Sequence, residues 1–134
     1  MSTLTLKGAQ DMVHEFHLKY GAPRNMLWNI QDKEAWLHVG HQRNRLIMEE
    51  FFEMISAWHE KDVVELADGL TDLLYVTLGT AVAAGIDLAP LFEAVHASNM
   101  SKDIGEFKPI KGDDFFKPDI KGLLLKQGFS IKDL

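Results

Sequence analysis

Apolar residues in this chain recur at three- and four-residue steps, the period of helices packed on one side, and no segment of convincing length alternates as a strand does. From about Lys7 to Lys19 the apolar positions are Met12, Val13, Phe16 and Leu18, and Tyr20-Gly21-Ala22-Pro23 stops the run. From roughly Asp32 to His59, Ile47, Phe51, Met54 and Trp58 predict a second helix with that stripe buried. Glu60-Lys61-Asp62 is a short polar break. The segment from about Val63 to Ala84 is apolar nearly all round and free of proline, which predicts a helix at the centre of a bundle or in a subunit interface. Gly85 ends it, and Asp87 caps a shorter helix from about Leu88 to Ser98. Gly105, Pro109, Gly112 and Pro118 punctuate the remainder as loop, with one helical turn at Ile120 to Gln127. The expected fold is all-α: a four-helix bundle with an irregular C-terminal tail.

Size adds that one domain is enough. The 134 residues, 46% hydrophobic, supply a single ordinary core, with residues 1–134 read as one domain, helical over about 7–104 and extended over about 105–134. Fourteen basic residues against 20 acidic give a formal charge of -6, and the basic ones are scattered, so no patch suits a nucleic acid polymer. Cysteine is absent, which excludes disulfides and thiolate metal sites. MSTLTLKGAQ at the amino terminus lacks the features of a secretory signal, and no 18 consecutive residues are apolar. These observations predict a soluble cytoplasmic protein without a membrane partner.

Charge changes the picture most where it meets the apolar runs. Glu49, Glu50 and Glu53 stand among Phe51, Phe52, Met54 and Ile55, and Glu65, Asp68 and Asp72 stand among Leu66, Leu70, Leu73 and Leu74. At about 100° per residue Glu50 and Glu53 lie about 60° apart and border the apolar line, while Glu49, about 100° from Glu50, is either solvated or reaches the site from its edge. Glu65, Asp68 and Asp72 fall within about 60° of one another, on a face that continues through the small residues Gly69, Gly79 and Ala83. Two helices joined by so short a break run antiparallel and bring the acid clusters together near the turn. Carboxylates crowded beside a core repel one another and lose hydration, at a cost of several kcal/mol per unpaired ion, on the order given for buried charges. A hard cation, Mg²⁺ or Mn²⁺, offsets that cost. Asp62-x-x-Glu65 also reads as a capping box, which leaves Glu65 divided between cap and ligand. The pairs His14 with His17 and His38 with His41 lack an HExxH frame, and there is neither a P-loop nor a nucleophile elbow.

MEEFFE at 48–53, ELADGLTDLLYVTLGTAVAAGID at 65–87 and VHASNMSK at 95–102 closely resemble the all-α nucleoside triphosphate pyrophosphohydrolases. That MazG-like superfamily includes the all-α dimeric dUTPases and phosphoribosyl-ATP pyrophosphohydrolase. HEFH at 14–17 and the arginine of QRNRLIMEE extend the similarity over most of residues 10–104. The resemblance implies Mg²⁺-dependent hydrolysis of a nucleoside triphosphate to monophosphate and pyrophosphate, with phosphoribosyl-ATP as the alternative substrate. A non-catalytic helical module that binds metal or nucleotide, or serves assembly, is the rival of another class. Glu50 and Glu53 match the first half of the metal motif. For the second half, spacing selects Glu65 and Asp68, whereas alignment on the LLYV run selects Asp72 and puts Gly69 where a glutamate is expected. Asp68 and Asp72 are the favoured ligands, with Glu65 a third candidate. Glu49 matches a group that handles the attacking water, the general base. Asn99 and Lys102 match a nucleotide-contacting segment, Arg43 is a further phosphate partner, and Phe16, His17 and Trp28 are candidates for the base. Relatives are usually dimers or tetramers, so a homodimer or homotetramer is expected.

Overall fold

The computed structural model describes residues 3–25, 32–130, 132 and 134. Trp28 lies outside them. Among the described residues there are five α-helices and no strand: α1 (Leu6–Tyr20), α2 (Lys33–Glu60), α3 (Val63–Ala84), α4 (Leu88–Met100) and α5 (Ile120–Lys126). Each starts at an oxygen-bearing side chain that accepts a free backbone N–H of the first turn, namely Thr5, Asp32, Asp62, Asp87 and Asp119. Three stop at a left-handed residue, Gly21, Lys61 and Gly85. Lys61 adopts that conformation without being glycine (φ 57°). Its N–H turns back to the carbonyls of Ala57 and Trp58, and Asp62 then opens α3, so only two residues separate the helices.

The contacts divide the chain into two compact units, Met1–Ile86 and Asp87–Leu134. In the first, α1 and α2 each pack on α3, which is therefore the central helix of that unit. By length and composition α3 could cross a bilayer. Here Gly69, Leu78, Gly79 and Ala81 to Ala83 are buried against its neighbours. The antiparallel register of α2 and α3 is marked at two levels. Gly69 faces Met54, and Arg43 reaches Val76 and Thr80.

Small residues make these approaches possible. A Cβ at Gly69 would lie 3.2 Å from the Met54 Cα, a backbone atom with little freedom to yield. A Cβ at Gly79 would lie 2.5 Å from Arg43 Nη2 and 3.1 Å from His17 Nε2. Helix propensity favours alanine over an interior glycine by about 1 kcal/mol. Overpacking costs about 1–3 kcal/mol, and Arg43 is pinned by its own hydrogen bonds, so the contact dominates. Gly79→Ala is expected to lower stability by on the order of 1 kcal/mol in urea denaturation. An unchanged or higher midpoint would show that Arg43 can swing aside freely.

One expectation of burial is corrected. Ile47 and Met54 are half-buried, but Phe51 and Trp58 of the same stripe are 43% and 63% exposed. Relative to Met54, which faces α3, Phe51 and Trp58 are turned about 60° and 40° to one side, where no helix of this unit covers them. Leu70 and Leu74 of α3 lie on that same flank and are also exposed. The periodicity marked an apolar flank correctly. It could not say that the chain itself leaves the flank bare.

In the second unit α4 and α5 are fastened by a pair of hydrogen bonds: Asp87 N–H donates to Gln127 Oε1, and Gln127 Nε2 donates to the Asp87 carbonyl. α5 occupies the position read as a single helical turn. Between them the chain forms a loop closed at its base by Asp103 and Ile110, which exchange both backbone hydrogen bonds.

Candidate active site

The acidic residues of α2 and α3 lie on the flank opposite the bare apolar one. Glu50 and Glu53 are about 40° and 100° from Met54, on the side away from Phe51, and Glu65, Asp72 and Asp68 are about 40°, 60° and 100° from Gly69 on the matching side. Glu50 is at the centre. Its Oε2 is shut off from solvent and has no hydrogen-bond partner among the described residues. Burial pushes the Glu50 carboxyl above its ordinary value, and the charges of Glu53 and Asp72, a hydrogen bond with Glu53 and the charge of Glu49 add to the effect. Three of the other sequence candidates thus act directly on Glu50.

Glu65 and Asp68 separate. Asp62 Oδ1 accepts the Glu65 N–H at 3.1 Å, which is the first half of a capping box. The second half is missing, because the Asp62 N–H goes to the Ala57 carbonyl. The Glu65 carboxylate is left lining a groove of about 290 Å³ with Glu53 and Glu60, the last not singled out in the sequence. Asp68 is exposed, farthest of the three from α2, and absent from the groups that act on Glu50. No three Asp, Glu or His side chains among the described residues are drawn tightly enough to form a finished metal cage.

Beyond Glu49 a cleft of about 360 Å³ runs along α2, lined by Ala22, Pro23, Gln42, Arg43, Arg45, Leu46 and Glu49. Arg43 is 8% exposed. Its Nε donates to Thr80 Oγ1 at 3.2 Å and its Nη2 to the Val76 carbonyl at 2.9 Å. His17, considered from its sequence as a substrate-side group, is only 2% exposed. It pairs through Nδ1 with the Pro23 carbonyl at 2.8 Å, and since a carbonyl only accepts, Nδ1 carries the proton. His17 therefore supports the wall of the cleft from within the core. Phe16 is half-exposed and stacks with Tyr20 and, edge-on, with Tyr75, one turn from Asp72. The i, i+3 spacing of Asp72 and Tyr75 is the sequence signal for this neighbourhood.

Burial lowers the His17 pKa below its ordinary value, with the charge of Arg43 adding to it. A base depressed in the folded state contributes stability above its unfolded pKa and loses it as pH falls. The folded chain is expected to weaken between about pH 7 and pH 5, by at most about 1.4 kcal/mol per pH unit for one proton. His17→Gln, whose amide can still donate to Pro23, should flatten this part of a melting-temperature profile. An equally steep profile in the variant would assign the effect elsewhere.

In the second unit, Lys102 Nζ donates to Asn99 Oδ1 at 2.9 Å, so the two candidate nucleotide contacts form one group at the end of α4. The hydroxyl of Ser98 holds the Phe116 carbonyl, and the Ser101 hydroxyl holds the Phe116 N–H, which ties the following loop to this helix end.

Comparison with known families matches residues 14–99 to phosphoribosyl-ATP pyrophosphohydrolase. The chain belongs to the phosphoribosyl-ATP pyrophosphohydrolase family. It is thereby a member of the MazG-like all-α pyrophosphohydrolases and an enzyme acting on a phosphoanhydride. No curated protein matched the chain. The family match takes in His17, Arg43, all six carboxylates and Asn99, and ends before Lys102. At Gly69, where the resemblance expects a glutamate, a Cβ would press on the Met54 backbone at 3.2 Å.

Proposed function

We propose that the chain hydrolyses a nucleoside triphosphate to the monophosphate and pyrophosphate at the Glu50 cluster, with Mg²⁺ as cofactor. The observation that carries this reading is the orphaned Glu50 oxygen, buried and surrounded by like charges from Glu49, Glu53 and Asp72. Such an arrangement is unfavourable in the chain alone and becomes favourable with a hard cation, for which carboxylate oxygens are the matching donors. Glu50, Glu53 and Asp72 would hold it, with Glu65 next to Glu53 and Asp68 at the exposed edge. Mn²⁺ suits the same donors. A bound divalent ion supplies Lewis-acid polarisation of the phosphate and lowers the pKa of water.

The residues of the chain account for the rest. Glu49, between the cluster and the cleft, accepts the proton of the attacking water as its oxygen bonds to the α-phosphorus. The bridging oxygen between the α and β phosphates leaves with pyrophosphate. Within the second unit, Asn99 and Lys102 form a candidate phosphate contact of their own. The bare flank of Phe51, Trp58, Leu70 and Leu74 is the surface on which copies of the chain would assemble into a homodimer or homotetramer.

Phosphoribosyl-ATP is the second substrate reading, supported by the description of the matching family. The deciding experiment incubates the protein and Mg²⁺ with each ribo- and deoxynucleoside triphosphate and with phosphoribosyl-ATP, and separates monophosphate plus pyrophosphate from diphosphate plus phosphate. Pyrophosphate release from a triphosphate is the expected result. Turnover confined to phosphoribosyl-ATP would replace the substrate, and binding without any turnover would favour a non-catalytic module.

A further inference from the structure

We infer that the cleft between residues 22–23 and α2 receives the nucleobase and selects bases with a carbonyl edge, guanine and uracil or thymine, over adenine and cytosine. This rests on the reading that the phosphates react at the Glu50 cluster.

Arg43 is the starting point. A guanidinium has five N–H donors, and Thr80 and Val76 take two of Arg43's. Among the described residues no carboxylate pairs with it. A cation so deeply buried without a counter-charge is costly, and its remaining donors await an electron-rich acceptor. The Pro23 carbonyl is taken by His17, so Ala22 and Pro23 offer an apolar surface on which a flat ring can lie. Arg45 adds further donors to the cleft, and the amide nitrogen of Gln42 gives one of its two hydrogens to His38 at 3.3 Å.

The placement suits a base. Arg43 and Glu50 are seven residues apart, so they share one face of α2 about 10 Å apart along its axis. An extended nucleoside bridges such a span between its 5′-oxygen and the far edge of its base. Glu49 belongs to both the cleft and the cluster, which makes the two regions continuous. An arginine fork pairs with O6 and N7 of guanine, or with the 4-carbonyl of uracil or thymine. The amino groups of adenine and cytosine would instead set a donor against a buried cation.

The test compares GTP, UTP, ATP and CTP by kcat/KM, and the four monophosphates by equilibrium binding. The expected result is a preference for keto bases of about tenfold or more in both, within the range of one good bidentate contact. Arg43→Lys, which keeps the charge and loses the fork, should shrink that preference to about threefold or less. Arg43 is buried, so circular dichroism checks this variant, and Ala22→Phe carries the test if it does not fold. That second variant should raise KM for GTP and UTP while leaving inhibition by tripolyphosphate, which has no base, within about twofold. Equal binding of all four monophosphates, a preference for AMP and CMP, or selectivity untouched by both variants would overturn the inference. Selective monophosphate binding without triphosphate turnover would instead sustain the cleft assignment and refute the proposed reaction. A preference for a nucleotide bearing a second phosphate beyond its base would assign the arginines to that phosphate and overturn it too.

Discussion

Asp72→Asn and Glu50→Gln are each expected to lower Mg²⁺-dependent pyrophosphate release by about a hundredfold or more, a loss of about 3 kcal/mol or more of transition-state stabilisation. The argument is electrostatic. Burial and the charges of Glu53, Asp72 and Glu49 disfavour ionised Glu50 in the folded chain, so the cluster is strained when no cation is present. A group whose pKa is raised on folding contributes stability below its unfolded pKa and loses it as pH rises through the folded value. At neutral pH without Mg²⁺, Glu50→Gln should therefore melt on the order of 2–4 °C above the unaltered chain. With Mg²⁺ the order reverses. Saturating a cation site stabilises the unaltered chain by about 2.7 kcal/mol at a hundred times Kd, and the variant should lose most of that gain. A lifeless variant that is stabler without metal and insensitive to it identifies ligand loss and not misfolding. Full turnover in both variants would remove the metal assignment.

Leu74→Glu is expected to convert a dimeric or larger assembly into monomers at the same concentration in light scattering. Leu74 is 53% exposed, on the flank that also carries Phe51, Trp58 and Leu70. One side of a helix hairpin that is both apolar and bare is a surface for association. A charge at the centre of such a contact costs at least about 2 kcal/mol, enough to raise the dissociation constant thirtyfold or more. Because the residue is exposed in the single chain, the variant should fold. A monomeric unaltered protein would refute the assembly, and an oligomer indifferent to the substitution would move the interface elsewhere.

The convergence of Glu50, Glu53 and Asp72 was legible because its logic is local. Glu50 and Glu53 are one turn apart on α2, Asp72 lies within an apolar helix, and a two-residue turn between α2 and α3 leaves them no arrangement but antiparallel. Helix starts were legible for the same reason, since an aspartate before an apolar run satisfies the orphan N–H groups of the first turn whatever the rest of the chain does. Gly69 was noticed in the sequence as a missing glutamate. The close approach of the Met54 backbone to that position was not legible, because Met54 is 15 residues away.

Periodicity alone determined that the chain is helical and which side of each helix is apolar, acidic or small. Only the tertiary structure decided which sides meet. It put His17 into the core, left the capping box of Asp62 and Glu65 half made, buried Arg43 beside a cleft without an ion-pair partner, and left Phe51 and Trp58 bare. Side-chain direction around a helix is a property of residue spacing, whereas burial depends on what the rest of the chain brings to that side.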